Sequence, residues 1–252
     1  MAGNTSRPGA SLVQRTLDVL DAFDEHHRRL TLTALAARAD LPVPTTMRIV
    51  RHLVQRDALA RLEDGSYVIG RRTWALGLLA PVRTDLRESA SPFLHDLHAA
   101  TRATVHLAVR DDDAVLYLEH LAGGTSVPVL SRVGSRLPLH VTGVGKVLLA
   151  HAPDDLLPRL LPLARVTPFS VTSPGMLAQQ LGRVRREGFA TTSEEMTLGA
   201  CSVAVPITGP ATDAGPEVVA AVGVVVPHLR RDRLRLVAAL RVAAEGIGRQ
   251  LR

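Results

Sequence analysis

Between residues 31 and 69 the spacing of apolar side chains is helical at first and strand-like afterwards. Leu32 suits a short strand, and Thr33 can cap a helix over Ala34–Ala39. The run Asp40-Leu41-Pro42 breaks that helix, because proline cannot continue it and pushes Leu41 out of the α region. A second helix starts at Pro44, a favoured first-turn position for proline, and runs to Asp57. Along it Met47, Val50 and Val54 recur at helical spacing, with Ile49 and Leu53 widening the apolar stripe. The opposite face carries Thr45, Thr46, Arg48, Arg51, His52 and Gln55, side chains suited to phosphates and base edges. Leu59–Leu62 and Tyr67–Ile69 then read as two short strands around the turn Glu63-Asp64-Gly65-Ser66, and Arg61 sits on the first of them. Two helices at a tight turn followed by a hairpin is the order of a winged helix-turn-helix, which lays its second helix in a DNA groove. A small helical core with a solvated arginine face is the alternative reading of the same stripe.

The flanking pattern extends the picture on both sides. Leu12, Val13, Leu17 and Leu20, with Phe23, make one amphipathic helix ahead of the pair. After the hairpin, Thr73 can cap a short helix Trp74–Ala80, which Pro81 stops. The expected organisation is a disordered polar arm over 1–10, a winged helix over 11–72, a linker helix within 73–84 and a second domain over 85–252. That domain opens with a helix over Asp85–Ala100 that buries Leu86, Phe93, Leu94 and Leu97. Short β-rich runs follow at Thr104–Arg110, Val115–His120, Val127–Arg132, Phe189–Glu195, Cys201–Ile207 and Glu217–Val226. Asp111-Asp112-Asp113 and Thr208-Gly209-Pro210 read as turns between strands. Helices are expected at Gly143–Ala150, Asp154–Leu160, Ser173–Arg186 and Arg231–Arg249. The class is α+β, with a central antiparallel or mixed sheet in the second domain.

Composition narrows the function. With 252 residues and 46% hydrophobic content, two domains are expected. No apolar run approaches the roughly 20 residues that span a bilayer, so no membrane partner is expected. Residues 1–10 lack a signal peptide's apolar centre, and a single cysteine, Cys201, excludes an internal disulfide; a cytoplasmic protein is expected. Aromatic content of 3% argues against stacking platforms for single-stranded nucleic acid. The formal charge of +6 matters through its placement. From Pro44 to Arg72, Arg48, Arg51, Arg56, Arg61, Arg71 and Arg72 face Asp57, Glu63 and Asp64, whereas cations and acids balance before residue 44. The excess sits on the second helix and hairpin, where phosphate contacts belong.

Candidate chemistry elsewhere is thin. His95 and His98 share a helix face but lack a further ligand at partner spacing, so no metal is expected. Glu194 and Glu195 stand without a nucleophile motif, which argues against an enzyme and against a catalytic site or cofactor. The run Gly143-Val144-Gly145-Lys146 lacks the upstream glycine and downstream hydroxyl of a phosphate loop. It suits a helix N-terminus whose free amides meet a carboxylate or carbonyl, or a purely structural turn.

These segments together resemble the IclR (isocitrate lyase regulator) family of bacterial transcription factors along nearly the whole chain. The resemblance rests on LTLTALAARADLPVPTTMRIVRHLVQRD, DGSYVIGRRTWALG, TVHLAVRDDDAVLYLEH, SRVGSRLPLHVTGVGKVLLA and GACSVAVPI. It implies a GAF-like effector-binding domain, a homodimer or dimer of dimers, and binding to double-stranded operator DNA that a small-molecule effector alters. Its effector pocket maps onto Val127, Val129, Gly143, Val144, Thr192, Leu198, Ala200, Ser202, Gly223 and Val225. Members that bind small oxo-acids carry an acidic residue in place of Thr192 and hydroxyls in place of Gly223 and Val225. Without them a small, highly charged acid leaves ionised oxygens under-satisfied, at a cost of several kcal/mol, so a larger and less polar effector such as an aromatic acid is expected. Many relatives have Lys-Ser where this chain has Val43-Pro44, which shifts the DNA contacts toward Arg48, Arg51 and Arg61. An effector-insensitive dimeric DNA-binding protein and a small-molecule enzyme are the alternatives.

Overall fold

The computed structural model describes residues 11–24, 27–79, 84–122, 127, 129–212, 215–229 and 232–251. The expected polar arm over 1–10 lies outside them, as do Ala80 and Pro81. The chain divides into two compact units, Met1–Val82 and Arg83–Arg252.

In the first unit, helix α1 (Leu12–Asp21) buries Val19, and α2 (Leu32–Arg38) buries Leu35 and Ala36. Leu20 and Phe23 pack partly against the same core, but Leu12, Val13 and Leu17 remain exposed, so the stripe expected on α1 is buried at one end only. Helix α2 starts earlier than its sequence suggests. Thr31 is its cap, accepting the Ala34 amide, and the strand-like residue is Leu30, which pairs through its backbone with Tyr67. Helix α3 (Val43–Gln55) has Pro44 within its first turn. The hairpin forms as expected from β1 (Leu59–Arg61) and β2 (Tyr67–Ile69), with Gly65 at φ 80° supplying a left-handed turn position. Helix α4 (Arg71–Gly77) begins before Thr73. The Thr73 hydroxyl therefore does not cap a helix; it donates to the Ala58 carbonyl and ties α4 to the wing.

The second unit is a six-stranded, wholly antiparallel sheet between two helical layers. Its elements, in chain order, are α5 (Thr84–Thr101), β3 (Thr104–Asp111), β4 (Ala114–Leu121), β5 (Arg136–Pro138), α6 (Gly143–Ala150), α7 (Leu156–Arg159), α8 (Pro174–Glu187), β6 (Ala190–Ser193), β7 (Cys201–Thr212), β8 (Gly215–Val226) and α9 (Arg233–Gln250). The sheet order is β5-β4-β3-β8-β7-β6. Alternation along each strand divides the core. Val105, Leu107, Val203, Val205, Val222 and Val224 meet α5 and α9, while Ala108, Tyr117, Ala204 and Ala221 meet α6 and its neighbours. The caps of α8 are those its sequence predicts, with Ser173 accepting the Met176 amide and Gly188 left-handed.

Two expectations are corrected here. Val127–Arg132 forms no strand among the described residues; the sheet ends at β5 on one edge and β6 on the other. Thr208-Gly209-Pro210 is no turn but lies within β7, where register shifts on both sides of Thr208 mark bulges. A 3-10 turn over Leu139–Val141, unmarked in the sequence, leads into α6. No helix among the described residues is long and apolar enough to cross a membrane.

Candidate functional site

The reading face of α3 is the side turned from the core. Ile49 and Val50 are buried and Leu53 half-buried, and Arg48, Arg51, His52 and Gln55 are exposed. Thr45 sits half-buried at the edge. Thr46 is corrected: it is 0% exposed and its hydroxyl donates to the Pro42 carbonyl, so it belongs to the core and not to the outward face. Met47 is its counterpart, assigned to the apolar stripe by spacing yet 54% exposed. One helical step of about 100° separates the two, so a small error in the stripe's centre exchanges them. Arg61 projects from the hairpin, its guanidinium 6.0 Å from the Tyr67 ring centre, a cation–π contact that leaves it exposed.

In the second unit a pocket opens between the sheet and the N-terminus of α6. Val129, Gly143, Val144, Thr192, Ala200, Ser202, Gly223 and Val225, eight of the ten positions that the family resemblance implies, line it. Val127 is half-buried and Leu198 is 58% exposed; neither lines the pocket among the described residues. Sequence reasoning missed His106, Tyr117 and Ser131 on the wall and Met196 and Thr197 at the rim. No arginine, lysine or carboxylate stands among its described lining residues.

Glycine makes the pocket possible. A Cβ on Gly143 would lie 2.5 Å from Ser202 Oγ, and one on Gly145 would lie 2.3 Å from the Leu139 carbonyl oxygen. At the start of α6, Thr142 accepts the Gly145 amide through its side chain, while the amides of Gly143 and Val144 have no intrahelical acceptor. Opposite them the hydroxyls of Thr192 and Ser202 share a hydrogen bond of 2.6 Å.

The wall carries a buried polar cluster. Ser131 Oγ is 2.8 Å from His106 Nε2, which also lies 3.2 Å from His120 Nδ1, and Tyr117 stands edge-on to the His106 ring. Burial pushes the His106 pKa down to about 3, with His120 adding a smaller push in the same direction. Burial lowers the pKa of His120 as well and raises that of Tyr117.

Lys146 has a different part from its neighbours in the glycine run. It is 1% exposed, and its Nζ donates to both Glu195 carboxylate oxygens at 2.6 and 2.7 Å and to Gln180 Oε1 at 2.7 Å. Burial lowers its pKa and raises that of Glu195, and each partner opposes the other's shift. The hydroxyls of Thr167 and Ser170 donate to the backbone carbonyl of Glu195. Met196 and Thr197, next along the chain, are thereby held at the pocket rim.

A winged helix with a cationic reading face and a domain that walls off an uncharged pocket define a DNA-binding regulator with an effector-binding domain. The chain belongs to the IclR family of bacterial transcriptional regulators. Residues 79–249 match the bacterial transcriptional regulator IclR C-terminal domain, and residues 12–63 match the IclR helix-turn-helix domain. An IclR homolog from Microbacterium hydrocarbonoxydans, solved in complex with 4-hydroxybenzoate, superposes with a TM-score of 0.87 at 34% identity, over 96% of this chain and 99% of that one. The HTH-type transcriptional regulator BhcR of Paracoccus denitrificans is 33% identical over 90% of this chain and 81% of its own length. The regulator KdgR of Escherichia coli is 30% identical over 96% of this chain and 92% of its own. These relatives are named as transcriptional regulators, not as enzymes.

Proposed function

We propose that this regulator is controlled by a compact acid of low polarity, with a single aromatic ring as its body and a carboxylate at one end. The observation that carries the reading is a pocket whose described lining holds no charged side chain and includes Gly143 and Val144, first-turn residues of α6 whose amides have no intrahelical acceptor. Such amides, with the positive end of the helix dipole, suit one carboxylate. The apolar flank of Val129, Val144 and Val225 suits a ring. Thr192 and Ser202 supply neutral hydrogen bonds in place of a cation or carboxylate. The relative solved with 4-hydroxybenzoate supports this ligand class.

On DNA, Arg48, Arg51, His52, Gln55 and Arg61, flanked by Thr45, form the proposed contact surface. A single winged helix buries little DNA surface, so two copies reading a near-palindromic site in the cytoplasm complete the reading. No catalytic role is assigned. The Ser131–His106 contact has the distance of a nucleophile and base, but a histidine with a pKa of about 3 is too weak a base near neutral pH.

The test is thermal unfolding with benzoate, 4-hydroxybenzoate, glyoxylate and pyruvate, on the natural chain and on Gly143→Leu. A ligand at one hundred times its Kd stabilises the folded state by about 2.7 kcal/mol, a shift of several degrees for a domain of this size. The aromatic acids are expected to raise Tm and the leucine variant to lose that response. A shift with glyoxylate and none with the aromatic acids would overturn the ligand class.

A further inference from the structure

Three exposed apolar side chains stand at the start of the reading helix, where a helix-turn-helix contacts bases. Val43 is 41% exposed, Met47 is 54% exposed, and Pro44 lies beside them in the first turn. Val43 and Met47 are four residues apart, as are Pro44 and Arg48 and also Met47 and Arg51, so all five share one side of α3. Along that side the chemistry runs from apolar at the N-terminus to cationic at Arg48 and Arg51 and then to an amide at Gln55. None of the three apolar groups is among the buried residues of the first unit's core, to which α3 contributes Ile49 and Val50. Thr46, the hydroxyl that would otherwise stand nearby, is turned inward.

We propose that Met47, with Val43 and Pro44, reads the C5-methyl groups of thymines in the major groove. The operator half-site then carries thymine where the N-terminal turn of α3 meets the base edges. The inference rests on α3 entering the major groove and goes beyond it by assigning the base that is read. Thymine is the one base that presents a methyl group there, and apolar side chains are its natural complement. The flanking cations make the assignment specific to DNA. Arg48 and Arg51 share the side with no acid of α3 beside them, so the apolar cluster is carried to a polyanion and not to another protein's apolar surface. Exposed methyls that cost free energy in water are covered only in the complex, and only where a methyl stands opposite.

The experiment selects binding sites for the full-length protein from a random duplex library and then replaces single thymines of the selected site with deoxyuridine, which lacks only the methyl group. At one or more positions in each half-site, the loss is expected to be about fourfold in Kd, the worth of one buried methyl-sized group. Met47→Ala and Met47→Gln are read beside the natural chain, and Arg51→Ala serves as the reference. At one of those positions, the one that Met47 reads, both Met47 variants are expected to bind the thymine and deoxyuridine sites alike, whereas Arg51→Ala binds more weakly and still distinguishes them. The proposal is overturned if every deoxyuridine site binds as well as the thymine site while Arg51→Ala still weakens binding, a result that leaves α3 in the groove. Selection that enriches no site removes the DNA-reading role of α3, and the proposal with it.

Discussion

His106 shows what a single buried side chain costs. It is 4% exposed on the pocket wall, bonded to Ser131 and close to His120, and burial holds its pKa near 3 against an unfolded value of 6.5. Between those values the unfolded chain binds a proton that the folded chain refuses. Stability from this site is therefore complete above about pH 6.5 and falls as the pH drops toward 3, with a slope set by the proton difference. Urea unfolding at pH 7 and at pH 4.5 is expected to show a smaller loss of stability for His106→Gln than for the natural chain. Equal losses in the two proteins would show that His106 protonates freely in the folded state. The site was not legible in the sequence. Ser131 meets His106 across 25 positions, from a segment whose apolar spacing suggests a strand that is absent among the described residues. Thr46 and Met47 fail differently, because spacing fixes a helical stripe only to within one residue.

At the level of elements, α6 joins the pocket to the rest of its domain. Its N-terminus faces the ligand space, and Lys146 one turn later grips Glu195, the residue before Met196 and Thr197 at the rim. Breaking a buried pair strands a charge and costs about 3–5 kcal/mol, while replacing both partners with apolar groups is often nearly neutral. Lys146→Met is expected to lower unfolding stability by that amount, and Lys146→Met with Glu195→Leu to recover most of it. A double variant no more stable than the single one would contradict the account of the pair. The sequence marked the start of α6 well through its glycines, and the ends of α8 through Ser173 and Gly188, because caps are local chemistry. It did not reveal the partners of Lys146, since Glu195 and Gln180 lie 49 and 34 positions away in the chain. The bulges of β7 look like a turn in the sequence for a related reason: glycine and proline mark a break in regular pairing without saying whether the chain reverses.

The first unit leaves apolar side chains uncovered on α1 (Leu12, Val13, Leu17) and on and just beyond α4 (Trp74, Leu76, Leu78, Leu79). Exposed apolar surface of this extent marks an interaction site, and the proposed reading of a near-palindromic operator needs a second copy. Light scattering at micromolar concentration is expected to give a dimer or tetramer, and Trp74→Asp with Leu78→Asp to shift it toward monomer. A monomeric natural chain would contradict that assembly. Control of the reading helix by the pocket is tested by a DNA titration. Fluorescence anisotropy of a selected duplex is measured with the full-length protein, with and without the aromatic acid that gives the largest rise in Tm, at saturation. The expected result is a change in Kd of roughly 5- to 150-fold, the span of a coupling free energy of about 1–3 kcal/mol. A ligand that stabilises the protein while leaving the Kd for DNA unchanged would contradict the account.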